Sequence, residues 1–317
     1  MRKSLRVLVT GATGSAGSHL CELALAGGAE VCGLARDQDF PKGITGITGD
    51  LTIPGVAAAC VERSRPHRIF HLAAAVHGSS PASPDEMFRT NVGGTFQLLD
   101  AARRLVPDAR ILVAGSSGIY ASPDDPEKPV KESDPMGPRS AYASSKAAQD
   151  LVAAQFSLGG LHVVRTRTFN QTGPREPKGL VCATLARRIA ALEQSRGPQI
   201  LEVRDLDAAR DFCDVRDVVR AYWALLESGR PGLAYNVCSG RATSIREIAR
   251  VILAASECAG AMVCGIPAES GSPSLRKQLG DCSLLCRDTG WSPQIPLAAS
   301  LADLLTEWRG RLAGAYE

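Results

Sequence analysis

Through the first half of the chain, short apolar runs alternate with longer stretches in which apolar positions recur every three or four residues. The runs predict strands over Arg6–Thr10, Glu30–Ala35, Gly43–Thr48, Arg68–Ala73, Arg110–Ala114 and His162–Thr168. The stretches between them predict helices over Ser15–Ala26, Val56–Arg63, Met87–Arg104 and Ala141–Gln155. Several strands, Val7-Leu8-Val9 among them, are apolar without alternation, as strands are when a sheet is covered on both faces. Strict β-α alternation then predicts a doubly wound, parallel α/β sheet with right-handed crossovers.

After about residue 170 the regularity loosens. Segments rich in Gly and Pro, at 171–179, 196–198 and 265–274, separate helices expected at about 180–194, 214–228, 244–256 and 297–312. The expected division is a first domain over residues 1–168, joined by residues from about 213–238, and a smaller substrate-facing α/β part over 169–317. No internal repeat or low-complexity tract interrupts this plan.

Composition narrows the classes of function. With 317 residues the chain is long enough for one large α/β domain and a smaller one. The net charge is +3 with acids and bases interleaved, which argues against a polyanion-binding stripe and so against nucleic acid as partner. The run Val7-Leu8-Val9 is too short for a signal-peptide core, and Thr10-Gly11 breaks it. No stretch approaches the roughly 20 apolar residues that span a bilayer, so a cytoplasmic protein without a membrane partner is expected. The ten cysteines form no Cys-x-x-Cys pair and have no nearby His at zinc spacing. They read as reduced structural thiols, and no metal is expected.

The densest local signal is Val7-Leu8-Val9-Thr10-Gly11-Ala12-Thr13-Gly14-Ser15-Ala16-Gly17, a buried strand that turns through glycines into a helix. Gly11 permits a tight turn, Gly14 lets backbone approach a pyrophosphate, and Gly17 allows close packing of helix on strand. The helix start, with Thr13, Ser15 and Ala16, then offers unpaired N–H groups and a partial positive charge to phosphates. This makes residues 1–168 a Rossmann-type dinucleotide-binding domain. At the end of the second strand Arg36 precedes Asp37. A guanidinium suits a 2′-phosphate and favours NADP, whereas Asp37 on the ribose would favour NAD.

A second constellation carries chemistry. Tyr142-Ala143-Ser144-Ser145-Lys146 puts a phenol and an ammonium four residues apart on one helix face. The ammonium is expected to lower the phenol's pKa so that Tyr142 can pass a proton at neutral pH.

Together the Gly-x-x-Gly-x-x-Gly turn and the Tyr-x-x-x-Lys pair resemble the extended short-chain dehydrogenase/reductase family. The resemblance implies that Asp50 and Leu51 lie at the adenine ring and that Leu72, Ala73 and Ala74 line the cofactor. It implies Ser116 as the hydroxyl that holds the substrate oxygen, with Ser117 beside it, and Asn91 as the residue supporting Lys146. Lys146 would also hold the nicotinamide ribose. The segment Arg167-Thr168-Phe169-Asn170-Gln171-Thr172-Gly173-Pro174 is similar to the Arg-Pro-Phe-Asn-x-x-Gly-Pro segment of nucleotide-sugar enzymes, with Thr168 in place of proline. With Arg210-Asp211-Phe212, Tyr235-Asn236-Val237 and Gly290-Trp291, it resembles the branch of GDP-mannose 4,6-dehydratases and GDP-6-deoxy-mannose reductases. By that resemblance Phe169 lines the cofactor, Asn170 and Arg210 contact the nucleotide diphosphate, and the chain forms a homodimer through the helices over Met87–Arg104 and Ala141–Gln155.

Dehydratases of this branch carry a Glu two residues before the tyrosine that corresponds to Tyr120; here that position is Gly118. Elimination of water needs that base, whereas reduction of a 4-keto sugar needs only Ser116, Tyr142 and Lys146. The expected activity is therefore reduction of GDP-4-keto-6-deoxy-mannose to GDP-rhamnose or its C4 epimer. A nucleotide-sugar 4-epimerase or 4,6-dehydratase, and a non-catalytic NADP-sensing protein, are the alternatives. The charged stretch that precedes Gly280-Asp281 in relatives is replaced here by Gly271-Ser272-Pro273-Ser274, which bears on the guanine assignment.

Overall fold

The computed structural model describes residues 4–76, 82–195, 199–258, 260–266 and 276–314. In chain order the first half runs β1 (Arg6–Thr10), α1 (Ser15–Ala26), β2 (Glu30–Ala35), β3 (Thr45–Thr48), α2 (Val56–Ser64) and β4 (Arg68–His71). It continues with α3 (Pro84–Phe88), α4 (Thr95–Leu105), β5 (Arg110–Ser116), α5 (Ala141–Leu158) and β6 (Val163–Thr168). The second half adds β7 (Asn170–Thr172), α6 (Val181–Glu193), β8 (Ile200–Arg204), β9 (Ala209–Asp214), α7 (Val215–Ser228) and β10 (Ala234–Val237). It closes with β11 (Ala242–Ser244), α8 (Ile245–Ala254), β12 (Met262–Ile266), β13 (Lys277–Gln278), α9 (Ser283–Thr289) and α10 (Leu297–Leu312).

Seven strands form one parallel sheet in the order β10-β6-β5-β4-β1-β2-β3. The alternation along each strand divides its side chains between two cores. Val7, Val9, Phe70 and Leu112 pack with α1 and α7 on one face, while Leu8, Ile69 and Ile111 pack with α2, α4 and α5 on the other. The expected doubly wound sheet is present. Its order reverses between β1 and β4, and ligands bind at such a crevice outside the carboxyl ends of the strands.

The structure corrects the helix expected over Met87–Arg104. It is broken into α3, a π-helical turn over Arg89–Gly94, and α4. Gly93 and Gly94 lower the cost of the wider turn, and such turns mark functional sites in many helices. Strand ends move by one or two residues: β3 and β4 are shorter than expected, and β5 extends to Ser116. In the second half β10 joins the main sheet beside β6. The helices α6, α8 and α10 share a separate core with Leu201, Val203 and Phe212. Around it stand a small sheet, in which β9 pairs with β7, β11 and β13, and the two-stranded β8–β12 pair. None of these short strands was expected as a strand.

Candidate active site

The turn after β1 is closed by contacts that admit no side chain. Gly11 has φ +72°, and a Cβ there would lie 2.9 Å from the Ala73 amide nitrogen. At Gly17 a Cβ would lie 2.0 Å from the Gly11 carbonyl oxygen, so helix and turn touch backbone to backbone. Gly14 caps α1 without a side-chain hydrogen bond, and the first turn carries no acidic residue. The helix's own first turn thus offers nothing to offset its positive end, which fits an anion there. Thr13, Ser15 and Ala16 stand half-buried at this cap, with Leu72 and Ala73 against Gly11 and Ala74 next along the chain. A glycine-lined cradle at the switch point of the sheet fits a dinucleotide pyrophosphate.

The other residues expected around the cofactor are placed less uniformly. Asp50 accepts a 2.8 Å hydrogen bond from the Thr52 amide, and Leu51 is buried against Gly94. Arg36 is exposed and pairs with Glu86 on α3 at 3.2 Å. An ion pair at this exposure is of small worth and leaves the guanidinium within reach of solvent. Phe169 is buried with Tyr120, Val130 and Cys238, its ring beside Gly280.

The reactive row follows from matched spacings. Residues four apart on a helix are roughly 6 Å apart along its axis, and residues two apart on a strand are roughly 6.6 Å apart. Tyr142 and Lys146 on α5 therefore meet Ser116 and Ala114 on β5. The Tyr142 phenol hydrogen-bonds the Ser116 hydroxyl. The Lys146 Nζ donates to the Ala114 carbonyl at 2.6 Å. Ser140 fixes the start of α5, its hydroxyl accepting from the Ala143 amide at 3.1 Å.

Burial governs the charges. It pulls Lys146 down to about 7, with the Asp150 carboxylate opposing. It pushes the Tyr142 phenol above its ordinary value, with the Ser116 hydroxyl opposing. The expectation that the ammonium lowers the tyrosine is corrected accordingly: desolvation dominates the phenol, the opposing effect comes from the Ser116 hydroxyl, and Lys146 is bonded to backbone. The Asn91 side chain bonds Ala75 in both directions and donates to the Ser145 hydroxyl at 2.9 Å, so it meets α5 one residue before Lys146. Beneath the row, buried His71 bridges the hydroxyls of Thr10, at 2.7 Å, and Thr95, at 2.8 Å. Burial, aided by Lys146, pulls that imidazole down to about 3.

The other residues expected to meet the substrate come from distant parts of the chain. Ser117 is buried and tied to Gln278, whose side-chain amide donates to its carbonyl at 3.0 Å. The β9–β13 register sets Gln278 beside Arg210, and the β7–β9 register sets Asn170 beside Phe212. Arg210 donates to the Ala209 carbonyl, and burial lowers its pKa, with Asp205 opposing and Arg139 adding to the shift. Asp207 and Asp214 are engaged instead by Arg246 and Arg216.

Sequence reasoning missed the group that holds this part together. The buried Asp211 carboxylate accepts from the Ser239 amide at 2.7 Å, the Ser239 hydroxyl at 2.6 Å, the Gly240 amide at 2.9 Å and the Gly280 amide at 3.3 Å. It also missed Gln278, and a buried group in which Arg167 donates to the Tyr120 hydroxyl at 3.1 Å while Tyr120 donates to Asn236 at 2.7 Å. The stretch Gly271–Ser274 lies outside the described residues. Gly118 stands in a short 3₁₀ turn, and its amide donates to the Ser116 hydroxyl at 3.1 Å.

Residues 7–238 match the model of the NAD dependent epimerase/dehydratase family. The chain is 32% identical over 249 residues to GDP-6-deoxy-D-mannose reductase of Pseudomonas aeruginosa, covering 78% of this chain and 82% of that protein. The solved structure of RMD from Pseudomonas aeruginosa complexed with NADPH superposes with a TM-score of 0.82 at 28% identity, covering 96% of this chain and 99% of that one. The UDP-glucose 4-epimerase of Thermus thermophilus in complex with NAD superposes with a TM-score of 0.83 at 28% identity, over 96% and 99% of the two chains.

Proposed function

The chain belongs to the NAD dependent epimerase/dehydratase family, and we propose that within it this protein is an NADPH-dependent 4-keto reductase of a nucleotide-linked 6-deoxy sugar. The substrate we assign is GDP-4-keto-6-deoxy-D-mannose, with GDP-D-rhamnose or its C4 epimer as product. The glycine turn would hold the pyrophosphate, Arg36 the 2′-phosphate and Lys146 the nicotinamide ribose. When bound, NADPH supplies the hydride to the sugar carbonyl carbon.

The chain's own groups do the rest. A phenol held above its ordinary pKa stays protonated at neutral pH, so Tyr142 can give its proton to the carbonyl oxygen as charge develops there. The Ser116 hydroxyl, which accepts from the Gly118 amide, would stabilise the same oxygen. The residues after 168 would carry the nucleotide sugar, Asn170 and Arg210 meeting its diphosphate, whose oxygens suit a planar guanidinium.

The observation that carries the reductive reading is Gly118. A Cβ there would lie 3.3 Å from Ser116 Oγ, so the place where an eliminating enzyme needs a carboxylate holds no side chain. The test is turnover with GDP-4-keto-6-deoxy-mannose under NADPH and under NADH, with the product read by NMR. Net NADPH oxidation with a new 6-deoxy sugar supports the assignment. C4 inversion without net oxidation would make the protein an epimerase, and cofactor binding without turnover a sensor.

A homodimer through α4 and α5 belongs to the same reading. Phe96, 52% exposed, and Leu151 and Leu158, 61% and 91% exposed, stand on those two helices. Leu151→Glu should convert a dimer mass to a monomer mass in light scattering; a mass unchanged by the substitution would contradict it.

A further inference from the structure

Cys238 and the closely spaced pair Cys282 and Cys286 meet where β10 ends and α9 begins. Cys238 follows the last residue of β10 and is buried, while Cys282 caps α9 and Cys286 lies one turn further on, both half-buried. The Cys286 thiol donates to Cys282 Sγ at 3.8 Å, and the Cys238 thiol hydrogen-bonds the same sulfur. The fold thus holds one sulfur between two thiol donors, with a neighbour already at contact distance. A Cβ on Gly280 would lie 2.5 Å from Cys238 Sγ, so the wall behind the buried thiol is closed.

We propose that Cys282 and Cys286 form a peroxide-oxidised dithiol site, in which Cys282 is the attacking sulfur and Cys286 the resolving one. The Cys282 thiolate attacks one oxygen of hydrogen peroxide. The O–O bond breaks, and the departing hydroxide takes up a proton as water. The resulting sulfenic acid is attacked by the Cys286 sulfur: the S–S bond forms, the S–O bond breaks, and the thiol proton leaves with the hydroxide as a second water. Two thiols lose two electrons and the peroxide gains them.

The sulfurs are already in contact, but Cβ atoms four apart on a helix lie roughly 5–6 Å apart, beyond the roughly 3.5–4.5 Å of a disulfide. Closing the bond therefore opens the first turn of α9, where Cys282 stands at the cap outside the helix and only the Cys286 amide to Cys282 carbonyl bond has to be given up. Reactivity points the same way. The two thiol donors, Cys238 foremost, pull Cys282 down to about 7. By contrast burial pushes Cys21 and Cys60 up to about 12. Thiolate character and access select which cysteine reacts.

The full-length protein treated with hydrogen peroxide, then alkylated and digested, should yield one intrachain Cys282–Cys286 linkage with the loss of two hydrogens. Cys286→Ser, or Cys286→Ala if the first variant melts at a different temperature from the wild type, should leave a sulfenic acid on Cys282 that dimedone traps. Cys282→Ser should abolish both products. A disulfide to Cys238, dimedone labelling confined to Cys286, or no oxidation under conditions that oxidise free cysteine would overturn the proposal.

Discussion

Two parts of the candidate site are built by different means. Along β5 and α5, a hydroxyl, a phenol and an ammonium are carried by one strand and one helix whose repeats match, and each is fixed by a neighbour on the same two elements. Beyond them, Ser117, next to Ser116 in the chain, joins Gln278, Arg210 and Ser239 from three other stretches, drawn together by the β9–β13 register and by the Asp211 carboxylate. The first part takes its precision from regular geometry, and the second takes it from a buried charge satisfied by backbone donors. A chemical step shared across a family suits the first arrangement. An arrangement that joins separated stretches can change without disturbing it.

Substitutions should separate the two parts by what they lose. Tyr142→Phe should lower kcat by about 10²–10⁴-fold while leaving thermal stability and NADPH affinity near wild type, because it removes the proton donor alone. Kinetics with fluorescence-detected cofactor binding checks this; a kcat within a few-fold of wild type would shift the proton donor elsewhere. Asp211→Ala should act the other way round. It leaves donors of Ser239, Gly240 and Gly280 without their acceptor and should cost about 3 kcal/mol or more in denaturant unfolding. A loss below about 1 kcal/mol would mean that the loops hold together without the carboxylate.

A smaller effect reads the burial of the reactive row. In the cofactor-free protein Lys146 titrates near 7 when folded, against its ordinary 10.5 when unfolded. Between those values the unfolded chain binds more protons, so this group's contribution to stability is full above pH 10.5 and is lost as pH falls towards 7. Its slope approaches about 1.4 kcal/mol per pH unit between them, and Lys146→Met should remove it. Unfolding free energies of the two proteins that run parallel between about pH 7.5 and 9.5 would contradict a buried, depressed amine. The smallest change is expected from Arg36→Ala. The Arg36–Glu86 pair is exposed, so stability should move by under about 1 kcal/mol. NADPH should weaken about tenfold more than NADH, a preference worth roughly 1.4 kcal/mol. Equal losses of the two would remove Arg36 from the 2′-phosphate.

The same contrast explains what could be read from the chain. The glycine turn, the alternating strands and the Tyr142–Lys146 pair are signals contained within about ten residues, and the structure keeps them as local geometry. The π-helical turn at Arg89–Gly94 left no trace in the apolar pattern, because it widens a helix without changing which face is buried. The strands of the second half have two to six residues, and Lys277–Gln278 is wholly polar, so only their partners reveal them. Arg36 and Glu86 are fifty positions apart, and Asp211 and Gly280 are farther still; no window along the chain contains either pair. The pKa reading of Tyr142 failed for a related reason. Charge proximity was visible in the spacing, but the depth of burial that outweighs it depends on the fold.

The most direct measurement is the fate of the transferred hydrogen. With the 4-deuterated, transferable side of NADPH and GDP-4-keto-6-deoxy-mannose, the account predicts deuterium at C4 of the sugar in the product, one per cofactor oxidised, and none in the Tyr142→Phe variant over the same period. Deuterium retained on the cofactor while the sugar changes, or deuterium transfer undiminished in that variant, would contradict it.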